Sequence, residues 1–374
     1  MRFLLRAGLA LAVVVTTACG DDSPTPVDFE DPAAITADLD AVGGALDSDA
    51  FRSFAATSFM LEPAAPSALA PTAQLLAAVG PGLERVGGQA LLPAVLRGRR
   101  LQAMVPALSV AEAQGRLIPD SLYGRVYEWD ETTDQYSWQG ATVSGLTGVQ
   151  FVLYALGLDG QVVEPTVEIG TLTIEDQSTA SVLQLHIQVD GPGGTPTYLD
   201  YTASFTTNGS TSANATVTGS ISNGQAGDQN KTLTFDETFN VTATSVRANV
   251  TFTLNNPVVT VSLIETATFD DPNLVVTADF RITKPGETIR LVARIVMTDD
   301  STSFVVTVYA NGGVVASVNG DPADPSTEWV DAGGEPLTAQ DLEALDRLFE
   351  AVGDFQEAMN SVFAPIDTFA AAAG

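Results

Sequence analysis

Residues 274–297 read LVVTADFRITKPGETIRLVARIVM. Leu274, Val276, Ala278, Phe280 and Ile282 alternate with Val275, Thr277, Asp279, Arg281 and Thr283. After Pro285-Gly286 the alternation resumes with Ile289, Leu291, Ala293, Ile295 and Met297. A period of two puts one set of side chains on each face of an extended strand. Pro-Gly supplies the fixed φ and the left-handed residue of a tight turn. The stretch therefore predicts a two-stranded antiparallel hairpin with one apolar and one polar face.

The same pattern extends in both directions. Toward the N-terminus it recurs in Leu183–Val189, in Leu233–Ala243, and in Val246, Ala248, Val250, Phe252 and Leu254. Toward the C-terminus it recurs in Phe304, Val306, Val308 and Ala310. Turn chemistry separates the runs at Asp159-Gly160, Asn223-Gly224, Asn255-Asn256-Pro257 and Asn311-Gly312. Roughly a dozen strands follow from this spacing, joined as consecutive hairpins over 116–320. A closed transmembrane barrel shows similar alternation, but such a chain should end in a strand. Here 333–370 carries a helical pattern. Thr338 and Asp341 make a capping-box-like start, and Leu342, Leu345, Leu348, Phe349, Val352, Phe355, Met359, Val362 and Phe363 form one stripe. Residues 33–115 are Ala- and Leu-rich with helical spacing, cut by Pro63, Pro66, Pro71, Pro81 and Pro93 into short helices. The expected fold is α+β: a large antiparallel β-meander, as a curved sheet or half-barrel, with a sandwich as the alternative. The N-terminal short helices and the C-terminal amphipathic helix are expected to pack on its apolar face.

The first eighteen residues read as an export signal. Arg2 and Arg6 bracket a basic start, Ala7 to Val15 is apolar, and Thr16-Thr17-Ala18-Cys19 ends it. The apolar run falls short of the about 20 residues a membrane span needs. The segment resembles the bacterial lipobox, with Thr16 where Leu is usual, which implies cleavage before Cys19 and lipidation of its thiol. Cys19 is the only cysteine, so no disulfide is expected. Gly20 rather than Asp follows it, which in enteric-type sorting favours the outer membrane. Residues 19–32, acidic and bearing prolines, read as a flexible spacer.

Composition excludes several partners. The net charge is −30. Without Arg2 and Arg6, 14 basic residues face 46 acidic ones, or −32. Such a chain repels nucleic acid phosphates. His186 is the only histidine and lies on a polar strand face, and no Gly-x-Ser-x-Gly elbow accompanies it. No cofactor is expected, because Walker and dinucleotide glycine motifs are absent. Acidic loops at Asp270-Asp271-Pro272-Asn273, Asp299-Asp300 and Asp321 with Asp324 lack the spacing of a dedicated calcium loop.

Two features interrupt the pattern. Glu237 and Glu265 occupy apolar-face positions, where a carboxylate costs several kcal/mol unless paired or wetted. They are either polar anchors in a ligand cavity or strand-end residues reaching water. Successive hairpins would set Glu237 opposite Phe252 and Glu265 opposite Ala248, on the order of 16 Å apart. That is too far for an acid/base couple. Tyr127, Trp129, Tyr136 and Trp138 flank a turn with Trp129 opposite Tyr136 and Tyr127 opposite Trp138. They form either an aromatic surface for sugar rings or a hairpin-stabilising ladder.

Gly148-Val-Gln-Phe-Val-Leu-Tyr154, Val167-Glu-Ile-Gly170 and Tyr198-Leu-Asp-Tyr201 resemble segments of uncharacterised lipoproteins of high-GC environmental bacteria, and the resemblance implies no catalytic residue. At fold level alone the chain resembles half-barrel lipid-carrier lipoproteins. The expected function is a non-enzymatic, membrane-anchored exterior scaffold or interaction surface. The alternatives are a carrier of a lipid or other apolar ligand held between sheet and helices, or a carboxylate-based hydrolase.

Overall fold

The computed structural model describes residues 115–345, apart from 158–160, 210, 271–272, 299–300, 321–327, 340 and 344. The signal peptide, Cys19, the spacer, nearly all of the Ala-rich segment, most of the C-terminal stripe and most of the acidic-loop residues lie outside the described residues.

Fourteen strands form one sheet. They are β1 (Arg125–Asp130), β2 (Gln135–Thr142), β3 (Gly148–Tyr154), β4 (Glu168–Asp176), β5 (Leu183–Asp190), β6 (Thr197–Thr207) and β7 (Ala213–Ser222). The second half holds β8 (Thr232–Val241), β9 (Ser245–Asn255), β10 (Val258–Asp270), β11 (Asn273–Lys284), β12 (Glu287–Met297), β13 (Thr302–Ala310) and β14 (Gly313–Gly320). From β3 to β14 each strand pairs with the next one in sequence, so the meander is realised as one curved, open sheet rather than a sandwich. The predicted two-residue turns close β9–β10 at Asn256-Pro257, β11–β12 at Pro285-Gly286 and β13–β14 at Asn311-Gly312. Asn311 and Gly312 both take positive φ, 50° and 86°, as the tightest hairpin turn demands.

One pairing departs from the antiparallel expectation. β1 lies between β2 and β3 and runs parallel to β3. After the β1–β2 hairpin the chain rounds the start of β1, where Val143 N donates to Gly124 O at 2.7 Å and Gly124 N donates to Gly148 O at 2.7 Å. A Cβ on Gly124 would stand 2.6 Å from Val143 O, and its φ is +77°. Only glycine fits that passage.

Burial follows the alternation. All fourteen strands contribute inner-face apolar residues to a single buried cluster, while the opposite, outer face carries mostly Thr, Asn, Gln and charged side chains, with Ile264 and Val305 exposed among them. Gly219 on β7 faces Tyr201 on one side and Phe235 on the other. The missing side chain lets the two rings approach to 6.0 Å between centroids, and Phe235 continues to Phe252 at 6.4 Å. Burial pushes the Tyr201 phenol well above its ordinary pKa. The described residues of 339–345 are helical. Their start carries the predicted reciprocal cap: Thr338 Oγ1 donates to Asp341 Oδ2 at 2.6 Å, and Asp341 N donates to Thr338 Oγ1 at 3.3 Å. Leu345 is buried in the common core.

Candidate functional site: carboxylates on the two faces

Glu237 and Glu265 sit on the apolar face at 1 % exposure each. Neither is an end-of-strand residue reaching water, and both take part in electrostatic or hydrogen-bonding contacts. Glu265 pairs with Ala248, as the hairpin reading predicts. Glu237 pairs with Val250 rather than Phe252. The difference arises at the β8–β9 turn, which closes tightly: Val241 pairs with Val246, Thr242 N donates to Ser245 O at 2.8 Å and Ser245 N donates to Thr242 Oγ1 at 3.0 Å. The two glutamates are therefore two strands and two residues apart, roughly 12 Å between Cα atoms instead of 16 Å.

Their surroundings differ. Glu237 is framed by Phe235 and Phe239 along its strand and by Val217 and Val250 across it. Glu265 is framed by Leu263 and Ala267 along its strand and by Ala248 and Ala278 across it. Three of its four neighbours are alanines, so the sheet surface is low around this carboxylate. Leu263, flanked by Val250 and Phe280, is only half-buried although it points to the same face. Both glutamates lie under the apolar face and not in an open cleft.

A third buried carboxylate was not singled out from the sequence. Asp176 ends β4 on the apolar face, continuing the alternation of Leu172 and Ile174, and is 7 % exposed. Its Oδ2 accepts Leu117 N at 2.6 Å and Ile118 N at 2.7 Å, and its Oδ1 accepts Ser178 N at 3.0 Å. Leu117 and Ile118 are both buried. Asp176 therefore latches the segment that leads into the sheet. The detectable signal was the same as for Glu237, an acid in an apolar register.

On the outer face His186 lies between two carboxylates supplied by the flanking strands. Its Nε2 is 2.8 Å from Asp200 Oδ1 and its Nδ1 is 3.8 Å from Glu175 Oε2. Both ring nitrogens face acids, so neither is aimed at a hydroxyl nucleophile. Asp279 receives both Arg290, at 2.8 and 2.9 Å, and Arg281, at 3.1 and 3.2 Å. Hydrogen bonds from Arg290, then from Arg281, hold its carboxyl down at about 2 against desolvation. Among the described residues no group of three or more His, Cys, Asp or Glu is placed to hold a metal ion.

The aromatic surface is corrected. Trp129 does pair with Tyr136 and Tyr127 with Trp138, but Tyr127, Trp129 and Tyr136 are buried. Tyr127 stacks on Phe151 at 4.9 Å, and Tyr136 meets Phe151 and Trp129 edge-on at 5.8 and 5.7 Å. Burial raises the Tyr136 phenol pKa strongly. The ladder packs into the core because β3 lies beside β1 and presents Phe151 to it. Trp138 alone is exposed, at 42 %, with the Arg125 guanidinium 4.1 Å over its ring. A single capped ring offers no platform for a row of sugars.

Comparison with protein-family models, with curated proteins and with solved structures finds no match for this chain.

Proposed function

We propose that this chain is a non-enzymatic, membrane-anchored exterior lipoprotein, held through a lipid on Cys19, whose sheet is a scaffold and interaction surface. The observation that carries the reading is where the titratable groups are engaged. Asp176 holds backbone amides, Asp279 holds two arginines, and His186 faces two acids. Each constellation is a structural contact: with the segment before the sheet for Asp176, with β11 itself and β12 for Asp279, and with the two flanking strands for His186. The remaining outer face is a broad polar surface. The export-type start and the single cysteine support the anchor, and the acidic excess supports a body held off a membrane. The sequence patterns of 342–363 and of the Ala-rich 33–115 suit apolar helices that would cover the inner face, and the buried Leu345 supports that reading.

A specific observation favours the carrier as a second reading. Leu263 is half-buried beside the alanine-lined Glu265, and Phe269, Leu274 and Phe304 are also only partly buried along the same face. An apolar chain lying there would find a polar anchor within reach.

Two measurements separate the readings. The scaffold predicts that purified protein, examined by native mass spectrometry, carries no mass beyond its own acyl groups, whereas the carrier predicts a co-purified lipid lost on Glu265→Leu. For the anchor, Cys19→Ser should move the protein from the membrane fraction to the soluble fraction. A Cys19→Ser protein that still sediments with membranes would sink the lipoprotein reading.

A further inference from the structure

The outer face of the sheet is electrically divided. β3 to β8 contain no Lys or Arg. Their outer face presents Glu175, Asp190, Asp200 and Asp236, with Glu168 at a strand start. β9 to β13 present Arg247, Arg281, Arg290 and Arg294 against Asp279. Lys284 and Glu287 cancel each other at the β11–β12 turn, 3.0 Å apart. The pairing register puts the two halves on one level. Glu175 leads through His186, Thr202 and Thr218 to Asp236, then through Thr251 and Ser262 to Arg281, Arg290 and Tyr309.

Asp236 and Arg281 are three strands apart, or roughly 14 Å. That exceeds the Debye length of about 8 Å at physiological salt, so the two halves do not neutralise each other within one molecule. Among the arginines, Ile264 and Val305 are exposed at 41 % and 45 %. A surface with arginines around exposed aliphatic side chains has the make-up of a protein-binding patch.

We propose that this face is a self-association surface, on which the arginine-bearing half of one copy, β9–β13, docks on the carboxylate-bearing half, β4–β8, of a second copy. The occupant follows from charge. In a chain of net charge −30, the basic half needs an acidic partner, and the matching acidic half lies on the same sheet at the same level. The net repulsion between two copies acts over longer distances and is largely screened at about 0.15 M salt, while charges brought into contact are screened much less until the salt is far higher. One half spans four strand spacings, roughly 19 Å, by about six residues, roughly 20 Å. That is about 400 Å² per copy, which belongs with weak, transient contacts rather than permanent dimers.

The test is sedimentation velocity of the full chain in a neutral detergent over a concentration series, with circular dichroism to verify folding of each variant. Reversible association is expected at about 0.15 M salt and its loss at about 1 M, where the Debye length is about 3 Å. Arg247→Glu with Arg294→Glu should weaken association at least about ten-fold, as should Asp200→Lys with Asp236→Lys. Mixing the two double variants should restore a heteromeric complex, because each keeps the half that the other lacks. The heteromer also shows that neither variant lost association by misfolding. A chain monomeric throughout the series, or an association indifferent to salt and to both reversals, would overturn the proposal. So would binding to anionic phospholipid vesicles through the arginine half without any self-association.

Discussion

Replacing Asp176 by Ala removes the acceptor for three backbone amides at once, and the structure sets how much that costs. The Leu117 and Ile118 amides approach Asp176 Oδ2 at 2.6 and 2.7 Å, and those residues are 4 % and 0 % exposed. Water cannot reach these donors unless the segment lifts off. Each buried donor left without an acceptor costs about 1–3 kcal/mol. Ser178 is half-buried, so water replaces the carboxylate at its amide for about 0.5 kcal/mol. The sum is about 2.5–6.5 kcal/mol, a large share of the roughly 5–15 kcal/mol that holds a domain folded. Asp176→Asn keeps one oxygen but turns an amide N–H₂ toward a donor, and should cost about 2–3 kcal/mol. Denaturant unfolding followed by tryptophan fluorescence reads the global change, since Trp129 is buried. Amide hydrogen exchange at Leu117 and Ile118 reads the local one. If the segment opens alone, those two amides lose protection while strands β9–β12 keep theirs, and the global loss is smaller than the local one. A variant within about 0.5 kcal/mol of the parent, with both amides still protected, would refute the latch.

Other consequences are equally specific. Gly219→Ala would set a Cβ 2.2 Å from the Tyr201 Cβ and 2.3 Å from Asp200 O, so the backbone must shift and stability should fall by about 1–3 kcal/mol, read as a lowered denaturation midpoint. The Asp279 carboxyl is held near 2 by Arg290 and Arg281, below the about 3.9 of an unfolded chain. A depressed folded-state pKa stabilises the fold above the unfolded value, and that contribution disappears as pH falls from about 4 to about 2. The shift caps it at about 2.5 kcal/mol, and the part-exposed arginines reduce it to about 1 kcal/mol. Asp279→Asn should therefore lose stability at neutral pH and show a flatter stability curve between about pH 4 and 2; curves of equal slope would rule out this assignment. Glu265→Leu, by contrast, should raise or preserve stability only if its present contacts cost as much as they return, and a drop of about 3–5 kcal/mol would mean that the buried carboxylate holds a partner charge.

The sheet was legible from residues 274–297 outward because a buried antiparallel face forces period-two alternation, and two-residue turns leave Pro-Gly and Asn-Gly marks. β1 beside β3 was not legible. It depends on a five-residue passage around Gly124, where the only local sign is the glycine itself. The Glu237 register was misplaced by one level because the β8–β9 turn is held by Thr242 and Ser245 side chains, and alternation alone does not say which threonine leaves the strand. The aromatic ladder was paired correctly, but whether it formed a surface or a packed hairpin stayed open, since its burial comes from Phe151 on a strand whose parallel placement was unforeseen. The divided outer face was invisible for the same kind of reason. Arg247, Arg281 and Arg294 are far apart in sequence, and only the pairing register makes them neighbours.

An open fourteen-strand sheet has two edges, and an uncovered edge invites pairing with another chain. Among the described residues the β14 edge is guarded by one bridge: Ser317 N donates to Val330 O and Val330 N donates to Ser317 O, both at 2.8 Å. The guard is itself folded back, with Leu337 N donating to Trp329 O at 3.2 Å and the side chains of Trp329 and Leu337 packed against the core. Val330→Pro deletes one of the two bridge donors while changing little apolar bulk, so it tests the backbone pairing and not the packing. Val330→Thr keeps the N–H and serves as its control. The proline variant should lose amide protection at Ser317 and aggregate with rising concentration, through backbone pairing that salt does not screen. Association through the charged outer face would instead vanish in salt, so the two routes are distinguishable in one titration. A proline variant that stays monodisperse with Ser317 still protected would mean that this bridge is not what shields the edge.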